Sequence, residues 1–448
     1  MPNLLGKHAI VVGAGIGGLT AAKALSSYFD EITVLERDLL PATAEARAGT
    51  PQSRQVHVLL RGGLDALVEF FPGFKTELER AGAVPARVGS EVLVELPGFD
   101  PFPQRDLGID ILCMTRPLVE FVARRFVEQQ GNIAMHSRCR VVQFTRSPDQ
   151  TAVTGVRFDQ PNGESKELTA DLVVDASSRG TLTLELLDKI GMPRPEETEI
   201  GIDLGYATAT FEIPSTAPRD WRAVVHRPNA QSGRGAFIFP IENNRWHVNL
   251  NGMHGENPPD DVQGFIAFAR TLRTQTIYDA IKDATPAGPI YRFGMPCSIR
   301  RQFEKIERFP NGLLPIGDAI CRFNPSFGQG MSVAAQEVGV LKRLLEARNA
   351  DSDPLDGLAP AFFRAIQAVL AAPWSVAEND FIYERTRGQC PNDFQQRMKF
   401  GFALQRVAAE DAAVHRIMAE VNNLVKPPST LRDPQIVSRV TALLAASA

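Results

Sequence analysis

The sequence predicts an α/β (α+β) protein with a Rossmann-like nucleotide-binding domain, an inserted antiparallel sheet and a C-terminal helical region. Three observations carry this. Residues 8–38 read as a strand, a glycine turn, a helix of small residues and a second strand. Over residues 201–294 the apolar pattern changes to long alternating runs such as YATATFEI, GAFIFPI and WHVNLNGM, the period of half-buried strands. Beyond a linker at 351–354 the pattern is helical, with breaks expected at Pro373, Pro391 and Pro427-Pro428.

The opening stretch is the most informative. An apolar run at 9–12 enters a turn with Gly13, Gly15 and Gly18 in G-x-G-x-x-G register, and Ile16 and Gly17 fall inside it. Gly13 permits the tight turn, Gly15 lets a pyrophosphate approach the backbone, and Gly18 lets the helix pack close to the sheet. The helix start offers free N–H groups and a positive dipole end to an anion. Glu36 ends the second strand, about twenty residues on, where a carboxylate accepts from a ribose. This block predicts a bound dinucleotide.

The next loop carries Arg47, Arg54 and His57, and a helix is predicted over 58–71. A strand is expected over 90–96 and another over 110–114. Thr115-Arg116-Pro117 then starts a helix, with proline where its missing N–H is harmless. Residues 140–175 alternate as strands, and one helix at 262–283 is expected to interrupt the later sheet. A short strand ends at Gly317-Asp318, and the turn at 325–330 leads into a helix to about 347. The domain division expected is 1–80, 104–190 and 295–350 for the nucleotide-binding domain, 81–103 and 191–294 for a substrate domain, and 351–448 for the helical region.

Composition narrows the class. A net charge of −4 over 448 residues gives no general reason to expect nucleic-acid binding. No apolar run reaches membrane-spanning length, and no signal peptide is read before the first strand. Five dispersed cysteines, without C-x-x-C pairs or metal-ligand spacing, suggest reduced thiols and a cytoplasmic setting. No metal site is expected.

Gly317-Asp318, with Asn324, Pro325, Gly328, Gln329, Gly330 and Met331 after it, lies far downstream of the first glycine turn. A plain NAD domain has no use for so distant a partner, whereas FAD is long enough to need one. Asp318 would hold the ribityl chain, and the following helix would aim its N-terminal N–H groups at the flavin N1–C2 carbonyl edge.

Taken together, GAGIGG…LERD, Thr115-Arg116-Pro117, DLVVDA and GDA…NPSFGQGM resemble the single-component flavoprotein monooxygenases over about residues 8–350. The resemblance implies FAD contacts at Gly13, Gly15, Ile16, Gly17, Gly18, Glu36, Arg37, Arg47, Arg116, Val141, Asp318, Pro325, Gly328, Gln329, Gly330 and Met331. Within that class, Arg47-x-Gly49-x-Pro51-Gln52-x-Arg54-x-x-His57, DLVVDASSRG, GYATATF, NPSFGQGMS and APWSVAENDF, with Trp374 and Asp380, are similar to flavin epoxidases of bacterial polyether biosynthesis. Those enzymes transfer one oxygen atom to polyene double bonds.

The resemblance implies a monooxygenase that uses O2, through a flavin C4a-hydroperoxide, to epoxidise or hydroxylate a lipophilic natural-product intermediate. One departure bears on electron supply. The family motif Ala-Asp-Gly is replaced at Ala176-Ser177-Ser178, so NAD(P)H serves either directly or through a separate flavin reductase. No catalytic acid or base is assigned, which suits chemistry carried by the cofactor. His57, Phe237, Phe239 and Trp246, with Ile238, are candidates for the substrate cavity. The alternatives are a flavin-dependent reductase or dehydrogenase of an isoprenoid-like substrate and a non-catalytic flavin-binding homologue. A halogenase is disfavoured, because none of the three tryptophans forms W-x-W-x-I-P.

Overall fold

The computed structural model describes residues 4–446. Its organising element is a five-stranded parallel sheet, in the order Leu313–Pro315, Leu172–Asp175, Gly6–Val12, Phe29–Leu35 and Ile133–His136. Helices cover both faces of such a sheet, so its strands read as continuous apolar runs. Ala9, Ile10, Val11, Val173, Val174 and Leu314 are fully enclosed here.

Register explains how motifs distant in sequence meet. Val12 lies beside Leu35 on one side and Asp175 on the other, and Asp175 lies beside Pro315. The loops that follow these strands therefore leave one sheet edge at one level. They carry Gly13, Glu36, Ala176 to Ser178, and Gly317-Asp318. Helices Ile16–Leu25 and Gly330–Ala347 pack closely; a Cβ on Gly17 would stand 3.5 Å from the Ala334 Cβ.

The second large sheet runs Cys321–Arg322, Tyr291–Arg301, Glu197–Glu212, Arg245–Gly252, Gly235–Ile241, Ala223–His226 and Val92–Glu95. It is antiparallel as expected except at its edge, where Val92–Glu95 joins Ala223–His226 in parallel. A buried cluster secures that edge: Glu95 accepts from Thr276 and Thr274 and pairs with His226 Nδ1 at 2.6 Å. Helices Val262–Arg270 and Thr276–Ile281 cover one face of the sheet around Phe211, Trp246 and Phe265. The other face packs on a small sheet of Val58–Leu59, Asp110–Cys113 and Val84–Arg87.

Several boundaries differ from the sequence reading. The helix expected over 58–71 begins at Arg61, because Val58–Leu59 pairs as a short strand with Asp110–Cys113. The helix at 262–283 is two helices, separated where Thr274 and Thr276 turn to bond Glu95. Pro373 does not break the chain's helical path; it is buried inside the helix Gln367–Ala377, where packing outweighs the one backbone bond proline removes. The C-terminal helices Phe394–Glu410, Ala412–Asn422 and Pro434–Ala446 close around Phe102.

Candidate active site

The first half of the site is the Gly13–Gly18 turn. Gly13 has φ 104, and a Cβ there would meet the Ala176 carbonyl oxygen at 2.7 Å. A Cβ on Gly18 would stand 2.0 Å from the Gly13 oxygen, so this position admits glycine alone. Gly15 is different: its nearest neighbours to an added Cβ are Arg116 Nη2 at 3.8 Å and Glu120 Oε1 at 3.9 Å. The turn thus opens toward an arginine across a gap. Gly15 is also the N-cap of Ile16–Leu25 and supplies no side-chain bond to the helix N–H groups, which suits an anion at that position.

Charged side chains frame the gap. Arg47 Nη1 pairs with Glu36 at 2.7 Å, and its Nη2 donates to Glu120 at 2.9 Å. Arg116 Nε donates to the same Glu120 at 2.8 Å. Burial opposes ionisation of Glu120, but Arg116 and Arg47 outweigh it and hold the carboxyl below its usual pKa. Glu36 Oε2 accepts from Ala14 N–H at 2.8 Å and Oε1 from Asp38 N–H at 2.9 Å. A carboxylate has about four lone-pair sites, so ribose hydroxyls can still bond to it. Glu120 was missed from sequence, although its i+4 spacing from Arg116 is the signal that finds it.

The second half lies across the same sheet edge. Gly317 has φ 62 and its N–H donates to Glu337 Oε2 at 2.7 Å. Asp318 follows at half-buried depth, beside the start of Gly330–Ala347. Burial raises its pKa, while Arg116, Arg322 and the Ser178 hydroxyl pull it back. Arg116 therefore acts on both halves. Gly328 has φ 67, and Gln329, the N-cap, is buried with no partner for its Oε1. The helix begins at Gly330, where the turn expected at 325–330 ends, and Pro325–Phe327 within that turn forms a 3₁₀ turn.

The departure at Ala176-Ser177-Ser178 has a visible consequence. Asp175 accepts from Ser177 N–H at 3.1 Å and from the Thr183 hydroxyl at 2.6 Å, so it braces the turn. Ser178 stands where the family motif has glycine and keeps the left-handed backbone, with φ 76. Its hydroxyl reaches Asp318. Arg179 is exposed, and its carbonyl accepts from Arg301.

Other predicted residues take varied places. Arg37 is exposed and donates to the Gly49 carbonyl at 3.0 Å. Val141 is buried in the core, shortly after Cys139, whose N–H donates to the Glu36 carbonyl at 2.8 Å. Pro325 and Met331 flank the turn at Gly328, and Arg54 lies 4.8 Å over the Tyr291 ring. His57 Nδ1 donates to the Gln55 carbonyl at 2.8 Å, and burial, then Arg116, pushes its pKa down to about 3. His247, missed from sequence, is nearby and pushed down to about 4 by burial.

Phe237 and Phe239 share a cluster with Val56, Val58, Ile111 and Cys113, on the sheet face toward the nucleotide-binding domain. Trp246 and Ile238 do not join them. Strand alternation turns both to the opposite face, where Trp246 stacks on Trp221 at 5.7 Å beneath the helices. Thr208 and Asn249 stand beside Phe237 on the inward face, where Thr208 donates to Gln55 at 2.6 Å and Asn249 to Thr208 at 2.8 Å. That face is partly polar rather than wholly apolar.

The residues fit FAD. The open gap at Gly15, the uncapped helix starts, the ribose-level carboxylate and the unpartnered Gln329 oxygen are the features such a molecule needs. Among the described residues no metal-binding cluster occurs, and no helix is long and apolar enough to cross a membrane.

Comparisons with known proteins agree. A family model described as "FAD binding domain" matches residues 7–356. Protein Rv3254 of Mycobacterium tuberculosis is 34% identical over 352 residues, covering 76% of this chain and 73% of that protein. Among solved structures, the flavin-dependent brominase Bmp2 superposes with a TM-score of 0.67 at 14% identity, over 95% of this chain and 98% of that one. The p-nitrophenol 4-monooxygenase PnpA of Pseudomonas putida gives 0.62 at 20% identity, over 95% and 99%. PqsL of Pseudomonas aeruginosa, a probable FAD-dependent monooxygenase, gives 0.60 at 17% identity, over 84% and 99%. The chain thus belongs to the FAD-binding-domain family, and it shares its fold with these flavoprotein structures.

Proposed function

We propose that the protein is a monooxygenase that places one oxygen atom from O2 into a lipophilic natural-product intermediate, by alkene epoxidation or by hydroxylation. The observation that carries this reading is the convergence on Arg116 of Gly15, Glu120, His57 and Asp318, next to a sheet face bearing Phe237 and Phe239. FAD, when bound, supplies the redox chemistry and the activation of oxygen. The chain's own residues bind, orient and exclude water. Glu36 and Arg47 hold the nucleotide end, Asp318 and the start of Gly330–Ala347 hold the flavin end, and the aromatic face receives the substrate. His57 and His247 stay uncharged at neutral pH, which keeps this face hospitable to an apolar chain.

Electrons come from NAD(P)H, directly or through a separate flavin reductase; Ser177 in place of the family's acid favours the second route. The test is to load the protein with FAD and supply NADH or NADPH with and without a reductase. Polyene and aromatic substrates are then offered under 18O2. One 18O atom per product molecule is the expected result. Product formed equally well without oxygen would sink the reading and point to a reductase.

A further inference from the structure

The nucleotide cradle leaves one charged group near the flavin-side turn without a task. Arg227 follows the strand Ala223–His226 and lies against Pro325–Phe327. Its guanidinium sits 5.6 Å over the Phe327 ring, and Nη1 donates to the Ser326 carbonyl at 3.3 Å. Among the described residues it forms no other side-chain hydrogen bond and no ion pair. A guanidinium has five N–H donors, so most of this one's capacity is unspent. Burial lowers its pKa, with Tyr383 and Asp380 opposing through space. Arg227 is half-buried, so these unspent donors stay open to an anionic group of a ligand.

The neighbours of Arg227 form a connected polar group. Asn324, wholly enclosed, donates to Asp380 Oδ2 at 2.9 Å. Its own oxygen accepts from Ser326 N–H at 2.9 Å, from the Ser326 hydroxyl at 2.6 Å and from the Tyr206 hydroxyl at 3.4 Å. The group therefore ties the flavin-side turn to the long strand Glu197–Glu212 and to the C-terminal region. Arg227 is the one member whose donors are still free.

We propose that Arg227 anchors a carboxylate on the substrate, so that the protein's substrates are lipophilic acids; this rests on the monooxygenase reading above. The planar guanidinium matches a carboxylate in two parallel bonds, and Phe327 behind it fixes the fork's orientation. A second anion next to Arg227 competes with an ionised Asp380, so ligand binding carries one proton onto the Asp380 carboxyl. Asp380 is poised for this: burial pushes it up to about 7, with Asn324 and Arg227 opposing.

The other titratable groups around Asp380 are moved away from neutral pH. Burial pushes the Tyr206 and Tyr383 phenols up, and it lowers the pKa of His254, which meets the Tyr383 ring edge-on at 5.9 Å. Thr386 bonds the Asp380 main-chain carbonyl at 2.6 Å and carries no charge.

The test is calorimetric binding of octanoate, linoleate and benzoate, and of their methyl esters, to the FAD-loaded protein. The acids bind about tenfold tighter than the esters or better, a gap of about 1.4 kcal/mol. Arg227→Gln removes that preference and Arg227→Lys keeps part of it, while the bound-flavin spectrum, unchanged in both, shows an intact fold. Affinity for the acids is level below about pH 7 and falls by up to about tenfold per unit above it. Asp380→Asn abolishes the fall and tightens acid binding at high pH. Equal binding of acids and esters, no binding of any acid, or a preference that survives Arg227→Gln overturns the proposal. The 18O2 experiment stands apart: neutral substrates oxygenated with no preference for acids would sink the carboxylate anchor and leave the monooxygenase intact.

Discussion

Glu36 shows how one side chain can serve fold and cofactor together. It is 6% exposed, bonds two backbone N–H groups and balances Arg47. Glu36→Gln keeps the shape but removes the charge, and hydrogen bonds to charged groups are worth about 1.5–3 kcal/mol. FAD affinity should therefore fall by about tenfold or more, read as the flavin fluorescence recovered on titration. His57 makes a contrasting case. Because its pKa lies near 3 and that of His247 near 4, neither changes charge above about pH 5. The pH profile of kcat/KM between about 5 and 9 should keep its shape in His57→Gln, whatever the loss in rate; a lost limb would show that His57 titrates during turnover. Glu36 and Asp318 were readable from sequence because their motifs are short and local. His247 and Arg227 were not, since their importance comes from what other segments bring beside them.

At the scale of the element, glycines and helix starts decide geometry. Gly328 combines φ 67 with a would-be Cβ only 2.6 Å from Val58 Cγ1. Gly328→Ala should cost about 1–3 kcal/mol of stability from the backbone alone. Val58→Ala in the same chain should restore the steric share and leave the backbone share, a coupling that a double-mutant cycle in urea measures directly. The helix Gly330–Ala347 holds a second device. Glu337 is wholly enclosed, and burial pushes its carboxyl up to about 8, with the Gly317 N–H opposing. The unfolded carboxyl ionises near 4.5, so between these values unfolding releases a proton that the folded chain keeps. Stability therefore declines as pH rises through that window. Glu337→Gln keeps an acceptor for Gly317 and should flatten the decline, with a gain of at least about 1 kcal/mol at pH 8 by thermal melts. An unchanged slope would place the pH dependence elsewhere.

Across the whole molecule, the C-terminal helices are bound into the body of the protein. Phe102, on the segment after Val92–Glu95, meets Phe99 at 5.1 Å and His415 at 4.9 Å and packs among the last three helices. The Gly62 N–H donates to the Asn423 carbonyl at 2.8 Å, and Gln336 donates to the Leu424 carbonyl at 3.0 Å. These bonds join the end of Ala412–Asn422 to the helices Arg61–Phe70 and Gly330–Ala347. Phe102→Ala should cost about 3–5 kcal/mol and open the C-terminal helices first, seen as early proteolytic cleavage beyond residue 390 while flavin stays bound. Cleavage spread evenly along the chain would mean that the region does not open separately. The sequence reading gives this region only as helical, over 351–448. Its packing against Phe102 supplies a structural role that periodicity could not show, because the partner residues lie far back in the chain.

The sequence by itself determined the kind of fold and the kind of cofactor. Strand period, glycine register and helix-start residues are local properties, and each is set by sterics within a few residues. Tertiary structure alone decided which side chains face the site. Trp246 and Phe239 are large aromatic residues on neighbouring strands, yet strand alternation and pairing register send them to opposite faces of the sheet. The same is true of the charges. Val12, Leu35, Asp175 and Pro315 stand level across the parallel sheet, and that alignment brings Gly13, Glu36, Ser178 and Asp318 around one opening. Register between strands is a long-range choice, made by burying the apolar faces of the whole sheet together.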